Sequence, residues 1–230
     1  MILKRDIQIN IHDIQEQYGH FLSTPENDVP IASLIELAGL MVLYSGAMKG
    51  ISTQLEVLDD EFQIQHKHNP IHHLECRLKR PASIYRKLEK HGLSPSADAV
   101  REHIHDIAGI RVICNFLNDI YAVEDLLLRK PDIKLLKKKD YISQPKANGY
   151  RSLHLVVTTP VFLSDKREEV PVEIQLRTMA MDYWASLEHM LRYKNAKINM
   201  EKYSKMLLDC ANSLADTEEA MQHIRNVIEE

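Results

Sequence analysis

Residues 107–116 read Ile-Ala-Gly-Ile-Arg-Val-Ile-Cys-Asn-Phe. This run is rich in β-branched and apolar residues and too short for a core helix, so it reads as a buried strand. Arg111 is the one charge inside it. The segments on either side alternate in type. Downstream, Asp119 to Arg129 has helical spacing, and Ile133 to Ile142 is a strand carrying Lys137, Lys138 and Lys139. Pro145 to Gly149 is a turn, Tyr150 to Leu163 alternates polar and apolar, and Val170 to Leu176 is a further strand. Thr178 or Asp182 then opens a helix that contains Trp184. Upstream, Arg77 to His91 is basic, with Pro81 placed for the first turn of a helix that stops near Gly92. This alternation predicts an α+β fold in which a mixed β-sheet is flanked by helices.

The flanks are helical. From Ile31 to His66 the apolar residues Leu34, Leu37, Met41, Tyr44, Met48, Ile51, Leu55, Leu58 and Phe62 recur at alternating spacings of three and four, the seam of a packed helix. The tail repeats this with Tyr203, Leu207, Cys210, Leu214, Thr217, Met221, Ile224 and Ile228. Such stripes need partners: each other, the domain, or another subunit. The organisation expected is an N-terminal helical region over 1–69, a core over 70–195 and a C-terminal helix over 196–230, forming one structural domain.

Composition narrows the function. The 230 residues hold 29 Lys+Arg against 33 Asp+Glu, a net charge of −4, which argues against a general RNA- or DNA-binding role. The 7 glycines include no G-x-G-x-x-G and no G-x-x-x-x-G-K-[ST], so any nucleotide site uses neither a Rossmann turn nor a P-loop. Three widely spaced cysteines, Cys76, Cys114 and Cys210, fit free thiols in a reducing cytosol. The N-terminus has no signal-peptide run, and the apolar stretch Leu34 to Met48 is interrupted by Glu36 and too short for a bilayer. The expectation is a cytoplasmic protein with no membrane segment.

Several residues have the chemistry of a phosphate site. Asp106 stands at the head of the 107–116 strand, and Glu173 lies inside the apolar Val170–Ile174 run. A carboxylate there either faces solvent, as period-2 alternation permits, or has a partner, because burying it alone is costly. Gln175 and Arg177 share its face. Two carboxylates from neighbouring strands can hold one Mg²⁺, which takes few protein oxygens and completes its shell with substrate phosphates. Arg77, Lys79, Arg80, Arg86, Lys87, Arg111 and Lys146 supply cations nearby. The stretch from Pro145 to His154 puts Tyr150, Ser152 and His154 on one strand face after the Asn148-Gly149 turn; it is either an amphipathic hairpin or a surface that stacks a base and binds its edge. His66, His68, His72, His73 and Cys76 have the chemistry of a Zn²⁺ site, though a solvated polar connection is the preferred reading. The pairs His12-Asp13 and His105-Asp106 and the Glu188-His189 sequence match no complete metallohydrolase motif.

Taken in order, five motifs resemble the synthetase domain of the RelA/SpoT family, which makes the alarmones ppGpp and pppGpp. They are His105-Asp106-Ile107-Ala108-Gly109-Ile110-Arg111, Lys139-Asp140-Tyr141-Ile142, Pro145 through His154, Val172-Glu173-Ile174-Gln175-Leu176-Arg177-Thr178, and Trp184 through His189. The chain has no room for the family's hydrolase and ribosome-contacting domains, so it resembles the stand-alone small alarmone synthetases. The resemblance implies a nucleotidyltransferase-like fold and a homotetramer built through the helical segments. It also implies a stringent-response reaction in which ATP gives pyrophosphate to the 3′-hydroxyl of GTP or GDP, leaving AMP.

Roles follow by the same resemblance. Asp106 is expected to hold Mg²⁺, and Glu173 to ligate Mg²⁺, serve as base toward the 3′-hydroxyl, or both. Arg77 and Arg111 sandwich the adenine; Lys79, Ser83 and Lys87 bind ATP phosphates or ribose. Tyr150 stacks on guanine, while Lys139, Lys146, Asn148, His154, Gln175 and Asp182 surround the guanosine nucleotide. One motif departs from the family: its R-x-K-D element is Lys137-Lys138-Lys139-Asp140 here, so the charge is kept and the arginine fork is lost. The alternative function is an inactive sensor of nucleotides or alarmones.

Overall fold

A computed structural model describes residues 3–6, 31–93, 96–194 and 201–229. The strands are β1 (Leu3–Asp6), β2 (Ile71–Leu78), β3 (Ala108–Cys114), β4 (Lys134–Asp140), β5 (Leu153–Phe162) and β6 (Arg167–Thr178). The helices are α1 (Ile31–Gln65), α2 (Pro81–Lys90), α3 (Ala97–His103), α4 (Leu117–Leu128), α5 (Met179–Lys194) and α6 (Glu201–Glu229). The sheet order is β1-β2-β3-β6-β5-β4. The β1–β2 and β3–β6 pairs are parallel and the others antiparallel, so the sheet is mixed and the fold α+β, as expected.

Period-2 alternation gives the sheet its two characters. Ile110 and Val112 of β3, Val172, Ile174 and Leu176 of β6, and Leu153, Leu155 and Val157 of β5 are all buried in the main core. The long helix α1 lies across β2, β3, β5 and β6. Its seam residues Leu37, Met41, Tyr44, Met48, Ile51, Leu55 and Leu58 are buried, so this stripe is spent inside the fold. Removing that apolar area from water is the main driving force for docking α1.

The helix ends follow local rules. Pro81 opens α2, and Gly92 just past its end takes φ of +68°, a conformation that suits glycine. Ser96 caps α3 by accepting from the Ala99 amide, and Thr178 accepts from the Met181 amide at the head of α5. Asp119 bonds the Phe116 amide at the start of α4; its buried carboxylate also holds His68 at 2.9 Å and Arg225 of α6 at 2.7 Å.

The tail stripe is only partly used within the chain. Helix α6 packs on the body through Ala211, Ala215 and Gln222, and Leu207 and Leu214 are only partly buried. Met221 and Ile224 are half exposed and Ile228 more so. The close approach to α5 and to the 145–150 turn suits small residues, and these rotate the larger apolar ones outward. Strand β2 and helix α3 extend the expected set. Residues 71–78 were legible as a histidine-rich connection; in the fold Ile71, Leu74, Cys76 and Leu78 of this segment point into the core.

Candidate active site

The sheet register gathers the polar residues into rows. Opposite one another across β2, β3, β6 and β5 stand Arg77, Gly109, Glu173 and Val156. Two residues along, and hence on the same face, the row is Glu75, Arg111, Gln175 and His154, continued by Lys139 on β4. Asp106 lies in the connection that leads into β3. A cavity of about 480 Å³ opens over this face, lined among others by Arg77, Lys79, Asp106, Arg111, Glu173 and Gln175.

Lys79 follows β2 and is fixed by its amide bond to the Ile107 carbonyl, 2.8 Å. Its ammonium bonds one oxygen of Asp106, and Lys87 from α2 bonds the other at 2.8 Å. Burial works to raise the Asp106 pKa, but these two ammonium groups hold it below the ordinary value. At Glu173 burial likewise pushes upward. The His154 ring, within 3.5 Å, and the Gln175 amide at 3.2 Å outweigh that push together with the repulsion from Asp106, so the carboxyl stays below its usual range. Both acids are therefore ionised at neutral pH. Two ionised carboxylates on one cavity make a hard-oxygen donor set that fits Mg²⁺, with Lys79 and Lys87 supplying positive charge to Asp106.

Arg111 pairs Nη1 with Glu75 at 2.6 Å and Asp182 at 3.4 Å, which compensates its charge inside an apolar strand, while its buried Nε has no hydrogen-bond partner. Arg77 is exposed at the cavity wall. Ser83 stands on the first turns of α2, accepting from Arg86 at 3.4 Å, and it is not among the cavity-lining residues. The 145–150 turn is held by Gly149, at φ of +89°, packed against α6. Asn148 accepts from the Tyr150 amide at 3.2 Å and donates to Glu188 of α5 at 3.4 Å. The Tyr150 ring carries two cations, Lys146 at 4.6 Å and Arg177 at 5.3 Å from its centroid. Its hydroxyl lies 2.7 Å from His154. Asp182 is engaged by Arg177 at 3.1 Å as well as by Arg111.

Three participants were not singled out from sequence. Glu75 is the partner of Arg111; its signal was the two-residue step from Arg77 on one strand. Tyr141 packs edge-on against Tyr150 and His154 and shares Lys146. Arg177 was legible as a polar residue on the Glu173 face, but not as the buried centre of four contacts. The histidine-rich segment is dispersed instead. His68 is committed to Asp119, Cys76 is buried in β2, and His72 contacts His73. Among the described residues, no three of His, Cys, Asp and Glu come together as a metal site.

An α+β domain with two ionised carboxylates among lysines and arginines, beside an aromatic-lined turn, has the build of a phosphate-handling nucleotide site. Residues 76–198 match the family model described as the region found in RelA/SpoT proteins, and the chain belongs to that family. It is 46% identical over 154 residues, covering 67% of this chain and 73% of the other, to the GTP pyrophosphokinase YwaC of Bacillus subtilis. Its fold matches the crystal structure of the small alarmone synthetase 2 of Bacillus subtilis with a TM-score of 0.76 and 39% identity, over 83% of this chain and 98% of that one. It also matches that organism's small alarmone synthetase 1 bound to its product pppGpp, with a TM-score of 0.75 and 30% identity, over 94% and 100% of the two chains.

Proposed function

We propose that the chain is a GTP pyrophosphokinase that moves pyrophosphate from ATP to the 3′-hydroxyl of GTP or GDP, giving pppGpp or ppGpp and AMP. The observation that carries this reading is the register that sets Glu173 and Asp106 on one cavity, with the Tyr150 turn beside it. The family membership and the named relatives agree with it.

The chemistry asked of the residues is modest. A bond forms between the acceptor 3′-oxygen and the β-phosphorus, and the bond from that phosphorus to the α–β bridging oxygen breaks. Catalysis then rests on alignment and on cations around the phosphates. Glu173, already ionised, accepts the 3′-hydroxyl proton once that oxygen is within hydrogen-bond reach. Asp106 and Glu173 would hold Mg²⁺, which supplies charge neutralisation at the triphosphate oxygens. Lys79 and Lys87 bind phosphate as point charges, and Ser83 lies along the same helix. The flat guanidinium groups of Arg77 and Arg111 stack the adenine. On the acceptor side Tyr150 stacks the guanine, a contact that replaces the Lys146 ammonium over the ring and frees it for phosphate. Lys139, Asn148, His154 and Gln175 line the remaining acceptor surface, and Asp182 braces the arginines beside it.

The same reading includes a homotetramer in the cytoplasm. The seam of α1 is buried in its own subunit, so self-association falls to the half-exposed stripe of α6, including Met206, Met221, Ile224, Val227 and Ile228. Light scattering of the purified chain tests that, a monomer being the contrary result. Among the described residues, no helix is long and apolar enough to cross a membrane.

Incubation with ATP, GTP or GDP and Mg²⁺, followed by anion exchange, tests the activity. A more highly charged guanosine species with stoichiometric AMP is expected. ADP in place of AMP would mean ordinary phosphoryl transfer, and no product with both nucleotides bound would favour the sensor reading.

A further inference from the structure

Arg177 is 5% exposed, near the end of β6, and its guanidinium is almost fully used. Nη2 donates to the Tyr150 hydroxyl at 2.7 Å and to the Gln175 side-chain oxygen at 2.9 Å. Nη1 donates to Asp182 at 3.1 Å and Nε to the buried Ser152 hydroxyl at 3.4 Å. Two of these contacts lead on to Glu173. The Gln175 amide nitrogen donates to one Glu173 oxygen at 3.2 Å, and the His154 Nδ1 lies 3.5 Å from the other. His154 Nε2 in turn lies 2.7 Å from the Tyr150 hydroxyl.

A guanidinium donates and never accepts. That fixes the direction of the Gln175 arm: with Arg177 donating to its oxygen, Gln175 must turn its NH₂ toward Glu173. The other arm is set from its far end. The Glu173 carboxylate only accepts, so the neutral His154 ring carries its proton on Nδ1, and its bare Nε2 accepts from the Tyr150 hydroxyl while that oxygen accepts from Arg177. We propose that Arg177 is a positioning residue: it sets the polarity of the Gln175 arm that ends on one oxygen of Glu173, anchors the Tyr150–His154 arm that ends on the other, and orients the Tyr150 ring for the acceptor nucleotide. Its burial leaves it almost no surface to offer either nucleotide. The proposal rests on the pyrophosphate-transfer reading for its kinetic consequence, but the direction of the arms is a property of the protein alone.

The experiment has a structural and a kinetic part. In ¹⁵N-labelled wild-type protein near neutral pH, the His154 ring is expected to show a protonated Nδ1 and a bare Nε2; a proton on Nε2 instead would overturn the proposal. In kinetics, Arg177→Gln introduces a side chain that can also accept. It is expected to lower kcat/KM for the guanosine acceptor about tenfold or more, with the KM for ATP moving less than twofold. Arg177→Lys, again a donor only, should recover part of that loss, which a bulk structural role would not predict. Tyr150→Phe cuts one arm with little change of volume and decides the matter if Arg177→Gln does not fold; a several-fold loss confined to the acceptor is expected. Acceptor kcat/KM within twofold of wild type in every folded variant, or equal losses for both nucleotides, would overturn it. Failure of wild-type protein to transfer pyrophosphate would refute the functional reading, and the His154 proton position compared between wild type and Arg177→Gln would still decide whether Arg177 orders the arms, an identical signature in both overturning it.

Discussion

Gly109 of β3 stands directly opposite Glu173 of β6 in parallel register. Paired residues share a face, so the position beside the candidate base has no side chain and the cavity floor is open there. A Cβ at Gly109 would meet nothing closer than the Arg77 carbonyl at 3.6 Å, an ordinary contact. Gly109→Ala should therefore fold with a melting temperature near wild type. Gly109→Leu should also fold, but project its side chain over Glu173 and raise the KM for ATP by tenfold or more, about 1.4 kcal/mol. Calorimetric ATP binding checks this, and equal affinity in both variants would contradict the placement.

Glu173→Gln keeps the shape of the side chain and removes its charge. Synthesis is expected to fall at least about a hundredfold, the range of a lost general base, with folding and binding of both nucleotides retained. Chelation of divalent cations should silence the wild-type enzyme and be reversed by Mg²⁺. Unchanged turnover in Glu173→Gln would remove this residue from the mechanism.

Tyr150→Ala should weaken the guanosine nucleotide by roughly 1–3 kcal/mol, the worth of one base–aromatic stack. ATP affinity should change little. Separate titrations of the two nucleotides measure the difference, and an equal loss for ATP would contradict the assignment.

Asp106 carries a pH signature. Its folded-state pKa lies below the ordinary 3.8, because Lys79 and Lys87 outweigh the upward push of burial. A lowered carboxyl pKa stabilises the fold above the unfolded value and loses that contribution as pH falls through the folded value. The stability advantage of wild type over Asp106→Asn should thus be constant above about pH 5 and narrow as pH drops below the unfolded pKa. Denaturant melts across a pH series test the sign, and an advantage that grew with acidity would refute it.

Gly149 has φ of +89°, and a Cβ there would lie 2.5 Å from the Ala211 Cβ and 3.3 Å from Leu208. Gly149→Ala meets both a backbone penalty and a steric one, so a loss of roughly 1–3 kcal/mol is expected. Because the displaced partner is α6, acceptor KM should rise with it. Urea unfolding and acceptor kinetics on one preparation check the pairing of the two effects.

Much of this fold is legible in the chain itself. The 107–116 run, the helix after it and the strands around Tyr150 and Glu173 carry strong period or turn signals, and each lies within a residue or a few of its place in the structure. Strand β2 was harder because His72, His73, Glu75 and Arg77 interrupt its apolar positions, and its register shifts between Ile71 and His73. The seven-residue α3 is too short to display a period. The partner of the tail stripe was not legible for a different reason: heptad spacing marks which residues share a helix face, but Ala211 and Ala215 decided which face could come close. The site residues were legible by type, while Arg177 required the fold, since nothing local says that one arginine meets Tyr150, Gln175, Ser152 and Asp182.

Strand β4 closes the sheet order beyond β5, and six of its seven residues are exposed. Its outer row of backbone donors and acceptors would be a template on which another extended chain could add. Lys137, Lys138 and Lys139 place positive charges along that margin, so an incoming copy of the same strand meets like charge there. Within that run Lys138 is paired with Glu124 of α4 at 2.7 Å. The lysine run thus opposes addition of a like strand at this edge, a property Lys139 would hold alongside its place on the acceptor surface, and charge-removing changes there should shorten the chain's life in concentrated solution before they alter its fold.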